Sequence, residues 1–188
     1  NIEHDHPDCY PTLDEMRAAF AEFAALLPDD GLLVACADDA EARALGDSRR
    51  AAGHPVAFYG FSGAAGEAFW RASDLAPNDG GGTAFTVWRG ARGLGRVRLA
   101  LAGRHNVLNA LAVIATADRA GVSFAVTAGA LGSFLGTGRR AETLGVAGGV
   151  TVISDYAHHP TAVRVTLEAL RARPGLRELW AVWQPHTY

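Results

Sequence analysis

The stretch Val152-Ile-Ser-Asp-Tyr-Ala-His-His-Pro-Thr161 decides how this chain is read. The apolar run Val150 to Ile153 reads as a buried strand, and it ends in an acid, an aromatic and two adjacent histidines. Pro160 then opens a segment, Thr161 to Arg173, with apolar residues at helical spacing. Proline suits the first turn of a helix, where its missing N–H leaves no bond unmade. The order is strand, polar loop, helix. In open α/β sheets ligands bind beyond the carboxyl ends of strands, so Asp155, Tyr156, His158 and His159 stand where chemistry is expected. The end of the chain repeats the theme: Glu178 to Trp183 reads as a strand, followed by the polar Gln184-Pro-His-Thr-Tyr188 with His186 inside it.

Upstream of this stretch, Ala125 to Leu135 reads as a helix ended by Gly136-Thr-Gly-Arg-Arg140. Arg139 and Arg140 either clamp a phosphate through their forked donors or form a surface pair beside a helix C-terminus, where cations are favoured. Gly145 to Gly149 reads as a linker into the Val150 strand. Leu101 to Asp118 carries a helix whose start holds Arg104, His105, Asn106 and Asn109. Asn106 and Asn109 are three apart and share a helix face. Asparagine is a poor interior helix residue. The pair either caps the helix or offers an amide donor and acceptor to a purine edge.

The first half reads as parallel α/β construction. Leu13 to Leu27 is an amphipathic helix with Thr12 as N-cap and Glu15 completing a capping box. Leu32 to Cys36 and Val56 to Tyr59 are strands, separated by a helical Asp38 to Leu45. Between Ala64 and Arg98 the pattern changes to a small antiparallel insert, with strands at Phe69 to Ala72, Ala84 to Arg89 and Val97 to Leu101 and a turn at Gly80-Gly-Gly82. Its aromatics Phe69, Trp70, Phe85 and Trp88 read as packing. Arg43, Arg49, Arg50 and the acid pairs Asp29-Asp30 and Asp38-Asp39 read as solvated surface. The N-terminal Asn1 to Tyr10 is dense in potential metal ligands: Glu3, His4, Asp5, His6 and Asp8.

Composition narrows the class. The chain has 188 residues, is 49% hydrophobic and 20% charged, and carries a net charge of −3. That balance suits a protein with a real core and gives no electrostatic case for nucleic acid or an anionic membrane. Two cysteines, Cys9 and Cys36, make no disulfide framework, which fits a reduced cytoplasmic setting. No apolar run is long enough to span a bilayer. All 17 basic residues are arginine, so these residues supply neither a P-loop lysine nor a Schiff-base lysine.

Together the motifs resemble the Mur ligase family. Asn1-Ile-Glu-His-Asp-His-Pro-Asp-Cys-Tyr10, Gly103-Arg-His-Asn-Val-Leu-Asn109, Gly138-Arg-Arg140, Asp155-Tyr-Ala-His-His-Pro-Thr161 and Gln184-Pro-His-Thr-Tyr188 occur in this family in the same order. The last two are most similar to its alanine-adding members. The resemblance implies a mainly parallel α/β central domain with a small antiparallel insert, followed by the beginning of a Rossmann-like α/β C-terminal domain. It implies that residues 1–138 are the later portion of the ATP-binding domain and 139–188 the start of the amino-acid-binding domain. His6 matches a magnesium ligand, and His105, Asn106 and Asn109 match the adenine site. Arg139, Asp155 and Tyr156 match positions around the nucleotide, and Arg140 an arginine acting near the ATP phosphates. His158, His159 and His186 match positions near the nucleotide and the incoming amino acid.

The implied reaction is ATP- and Mg2+-dependent ligation of L-alanine to the carboxylate of UDP-N-acetylmuramate through an acyl phosphate, a step of peptidoglycan precursor synthesis in the cytoplasm. A family member that adds a murein tripeptide is the neighbouring alternative, and a non-catalytic nucleotide-binding module another. The rival class is a metal-dependent hydrolase built on His4, His6, Asp155, His158 and His159. Departures from the family pattern are Ser154 in place of an acid, Ala162 in place of a frequent glutamate, and Ala141 in place of an aromatic. The glycine-rich phosphate loop and the UDP-sugar domain are not among these residues, so the 188 residues alone are expected not to catalyse the ligation.

Overall fold

The first helix, α1 (Leu13–Ala25), begins where Thr12 accepts a hydrogen bond from the Glu15 N–H while the Glu15 carboxylate accepts from the Thr12 N–H. This reciprocal box satisfies two donors that a helix start otherwise leaves open. The computed structural model describes residues 1–62, 69–173 and 175–184. After α1 the chain runs β1 (Leu33–Cys36), α2 (Ala40–Ala51) and β2 (Val56–Gly60), with β1 and β2 parallel as their spacing through a helix requires.

β3 (Phe69–Pro77) pairs parallel with β2 on one side and antiparallel with β4 (Thr83–Arg89) on the other. β5 (Arg92–Arg98) pairs antiparallel with β4, giving one sheet in the order β1-β2-β3-β4-β5. The expected antiparallel strands are therefore continuous with the parallel ones. The turn at Gly80 to Gly82 is held by Asn78, whose side-chain oxygen accepts from the N–H groups of Gly80 and Gly82. Gly82 is required there, because a Cβ would lie 2.0 Å from the Leu99 carbonyl oxygen.

The core forms on both faces of this sheet. Neighbouring strand residues point to opposite sides, and Ala57 and Phe58 of β2 join different clusters. On one face Trp70, Phe85, Val87 and Val97 meet Val107, Leu111 and Ile114 of α3 (Arg104–Arg119) and Leu131 of α4 (Phe124–Ser133). On the other, Phe58 packs so close to α2 that a Cβ on Gly46 would lie 2.4 Å from its ring. The aromatics do pack: Phe69, Trp70 and Phe85 are buried, and the Trp88 ring N–H donates to Ser73.

Asp29, Asp30, Asp38 and Arg50 are exposed as expected, whereas Asp39, Arg43 and Arg49 are half-buried. Asp38 accepts from the N–H groups of Phe61 and Ser62, and Asp39 caps α2 while also accepting from the Ile2 N–H. Arg43 and Arg50 both place guanidinium groups over the buried Phe58 ring, at 4.8 and 4.5 Å from its centroid. Arg49 donates to the Ala24 carbonyl with the rest of its guanidinium enclosed. Short acids bond local backbone and long arginine stems cover apolar surface even where the residue stays largely in solvent.

Beyond α4 lies a second sheet of two strands. β6 (Glu142–Ala147) and β7 (Val150–Ser154) form an antiparallel hairpin. The expected linker at Gly145 to Gly149 is thus mostly strand, and only Gly148-Gly149 turns, with φ of 58° and 79°. Paired glycines at positive φ are what a tight hairpin turn needs, and they had concealed the strand before them. α5 (Pro160–Arg171) follows and touches α3. The strand expected over Glu178 to Trp183 does not form among the described residues. No ladder partner for it is present among them, and Trp180 and Val182 are 85% and 101% exposed.

Candidate nucleotide and phosphate site

The start of α3 sits beside α5. Gly103 precedes the helix with φ 102°, and a Cβ there would lie 2.8 Å from the Ala169 Cβ and 2.8 Å from the His105 ring. Only glycine admits this approach. His105 and Asn106 are half-buried and Asn109 is exposed one turn further on. The Asn106 amide donates to the Ala102 carbonyl at 2.8 Å, so its nitrogen secures the helix start and leaves the side-chain oxygen as the remaining acceptor.

Burial pushes the His105 imidazole below its ordinary pKa, the Asp155 carboxylate opposes that, and Arg140 adds to the lowering. His105, Arg140 and Asp155 therefore share one electrostatic neighbourhood, although they come from α3 and from the two open ends of the β6–β7 hairpin.

The hairpin ends are tied together. The Asp155 carboxylate accepts from the Ala141 N–H and the Ala157 N–H, each at 2.7 Å. The Tyr156 N–H donates to the Arg139 carbonyl at 2.9 Å, and the Arg139 N–H donates to Glu142 at 2.7 Å. The Arg139 guanidinium lies 4.8 Å from the Tyr156 ring centroid, and His158 meets the same ring edge-on at 5.2 Å. The polar loop after β7 is thus a folded platform of Arg139, Tyr156 and His158 rather than a set of separate side chains.

His159 behaves differently. It caps α5 by accepting from the Thr161 N–H at 3.3 Å. The same ring lies 3.1 Å from the Glu3 carboxylate and 3.3 Å from the His4 carbonyl oxygen, which joins the N-terminal segment to the start of α5. The sequence marks Glu3 only as one of several potential metal ligands, and nothing in its spacing indicates this partner. Glu142 was likewise unmarked, because its role depends on a turn that the sequence does not announce.

His6 is exposed, with φ 53°, its N–H donating to Asp5 at 2.9 Å. Among the described residues no group of three or more His, Cys, Asp or Glu is placed to hold a metal ion. A zinc site, which takes three or four protein ligands, is not assembled there from His4, His6, Asp155, His158 and His159. Magnesium sets a lower demand, since it keeps water and substrate phosphates and takes one or two protein ligands. Those ligands are usually carboxylates, and His6 offers an exposed imidazole nitrogen instead. His186 lies outside the described residues. A groove of about 640 Å³ along α5, lined by Val163, Leu167, Leu179 and Trp183, involves none of the candidate side chains.

The chain is similar to known proteins along most of its length. Residues 1–117 match the model of the Mur ligase middle domain, and residues 139–187 match that of the Mur ligase glutamate ligase domain. A UDP-N-acetylmuramate–L-alanine ligase of Rubrobacter xylanophilus is 44% identical over the whole chain, which spans 40% of that relative's length. Among solved structures, the UDP-N-acetylmuramate–alanine ligase MurC of Thermotoga maritima is 28% identical with a TM-score of 0.70, covering 90% of this chain and 36% of that one. MurF of Acinetobacter baumannii, at 24% identity and a TM-score of 0.77 over 92% of this chain and 36% of that one, shows the shared fold.

Proposed function

The chain belongs to the Mur ligase family, and from that premise we propose that it forms the ATP- and acceptor-binding part of an amide-forming ligase that joins L-alanine to the carboxylate of UDP-N-acetylmuramate. The observation that carries the reading is the packing of the start of α3 against α5, with Gly103 against Ala169, which brings the two family-model regions together. A neutral, half-buried imidazole beside an asparagine acceptor suits a purine. A guanidinium beside them suits the phosphates that the purine carries.

In this reading ATP supplies the phosphoryl group that activates the muramyl carboxylate as an acyl phosphate, and magnesium offsets charge on that group. The amine of L-alanine then attacks the carbonyl, phosphate leaves, and the amide forms. His105, Asn106 and Asn109 hold the adenine end. Arg140 offsets negative charge on the transferring phosphoryl group, and the neighbouring Arg139 lies over the Tyr156 ring. His6 would ligate magnesium from the N-terminal segment. His158 faces the acceptor side on the Tyr156 platform, while His159 holds the start of α5 to Glu3. Such catalysis is mainly alignment, which suits an Asp155 carboxylate held by the Ala141 and Ala157 N–H groups.

The deciding experiment measures phosphate release by the full-length protein with ATP, magnesium and UDP-N-acetylmuramate, comparing L-alanine with a murein tripeptide as acceptor. Release that depends on L-alanine supports the reading. Release with the tripeptide alone moves the acceptor to the peptide, and release with neither overturns the ligase assignment. Arg140→Ala should lower kcat by roughly 10²-fold or more, as expected for a charge-stabilising group, with KM for the acceptor little changed.

A further inference from the structure

Arg140 stands between two residues in the left-handed region: Arg139 has φ 60° and Ala141 φ 46°. Residues with a Cβ are disfavoured there, and such conformations persist at functional positions when surrounding bonds over-determine them. The bonds divide by residue. Arg139 is held by its N–H to Glu142 and by its carbonyl to the Tyr156 N–H. Ala141 is held by its N–H to one oxygen of Asp155, whose other oxygen takes the Ala157 N–H. One carboxylate therefore joins the bend just before β6 to the loop after β7, across the turn that carries Arg140.

We propose that Asp155 is a positioning residue for Arg140: by holding the Ala141 N–H it keeps the turn left-handed and so fixes where the Arg140 guanidinium stands. An ionised carboxylate accepts at both oxygens, which matches two facing N–H groups; an amide of the same shape would turn a donor toward one of them. Bonds to a charged acceptor are among the stronger ones. What Arg140 does once positioned rests on the ligase reading, whereas the backbone role of Asp155 stands on the geometry, and the two are measured separately.

The test uses the full-length, nitrogen-15-labelled protein with Asp155→Asn, Ala141→Gly, the double variant and Arg140→Ala. Amide exchange is followed at Tyr156, whose N–H bridges the turn to Arg139, and pyrophosphate is the binding probe. Asp155→Asn should speed exchange at Tyr156 by about tenfold or more and weaken pyrophosphate binding about as much as Arg140→Ala does. Ala141→Gly alone should leave affinity within about twofold, because glycine takes positive φ without a Cβ conflict. Added to Asp155→Asn, it should slow the Tyr156 exchange again and recover most of the lost affinity. If Asp155→Asn weakens binding and glycine restores none of it, Asp155 meets the ligand directly and the proposal fails. It fails equally if Asp155→Asn leaves the exchange unchanged. Should the wild-type protein bind no pyrophosphate, the reading of Arg140 falls, and the exchange data alone decide the role of Asp155.

Discussion

At the residue scale, the chemistry is set by a few groups whose surroundings differ from those of an exposed side chain. Burial holds His105 below its ordinary pKa, so the folded protein disfavours the imidazolium. The sign follows from linkage. Above about pH 6.5 both states carry the neutral ring and His105 adds no pH dependence. As pH falls through that value, the unfolded chain takes up a proton that the folded chain resists, and stability declines. His105→Gln should remove part of this acid-side slope, measured as urea unfolding free energy between pH 5 and 8; an unchanged slope would contradict the environment described. The residue types at this site were legible in the sequence. Their roles were less so, because Asp155 bonds backbone and His159 caps a helix, and neither job is visible without the fold.

At the element scale, two contacts set how the site is built. α5 crosses the start of α3 so closely that Gly103 admits no side chain. Gly103→Ala combines a 2.8 Å Cβ contact with a residue at φ 102°, and should destabilise by about 1–3 kcal/mol while weakening nucleotide binding as α5 shifts. Chemical denaturation and nucleotide titration check both. Far from the site, Thr12→Ala removes the capping box of α1 and should lose about 1 kcal/mol with no effect on nucleotide affinity. The elements themselves were mostly readable from periodicity and caps. β5 was so only at its end: the strand expected at Val97 to Leu101 overlaps it at Val97 and Arg98, whereas Arg92-Gly-Leu-Gly-Arg96 has no strand pattern. Gly95 is there because Phe124 of α4 packs 3.0 Å from where its Cβ would be. β6 was hidden by the glycines of its own turn.

At the scale of the whole molecule, α3 is the shared support. Its buried face, with Val107, Leu111 and Ile114 at no more than 2% exposure, carries the sheet, and its start carries the candidate site. Leu111→Ala should lose about 2–5 kcal/mol in thermal or urea unfolding, and nucleotide affinity should fall only as the folded fraction falls. A larger loss of affinity at full folding would mean that the core transmits strain to the site. Among the described residues, no helix is long and apolar enough to cross a membrane. The sequence by itself determined the α/β class and most of the helices and strands, and it marked the candidate site residues, because caps, glycine turns and hydrophobic period are local properties. Tertiary structure alone decided that the antiparallel strands extend the parallel sheet, that Glu3 meets His159, and that His105, Arg140 and Asp155 share one neighbourhood. Those outcomes depend on which backbone donors and charges face each other after packing, and residues far apart in the chain leave no local trace of that.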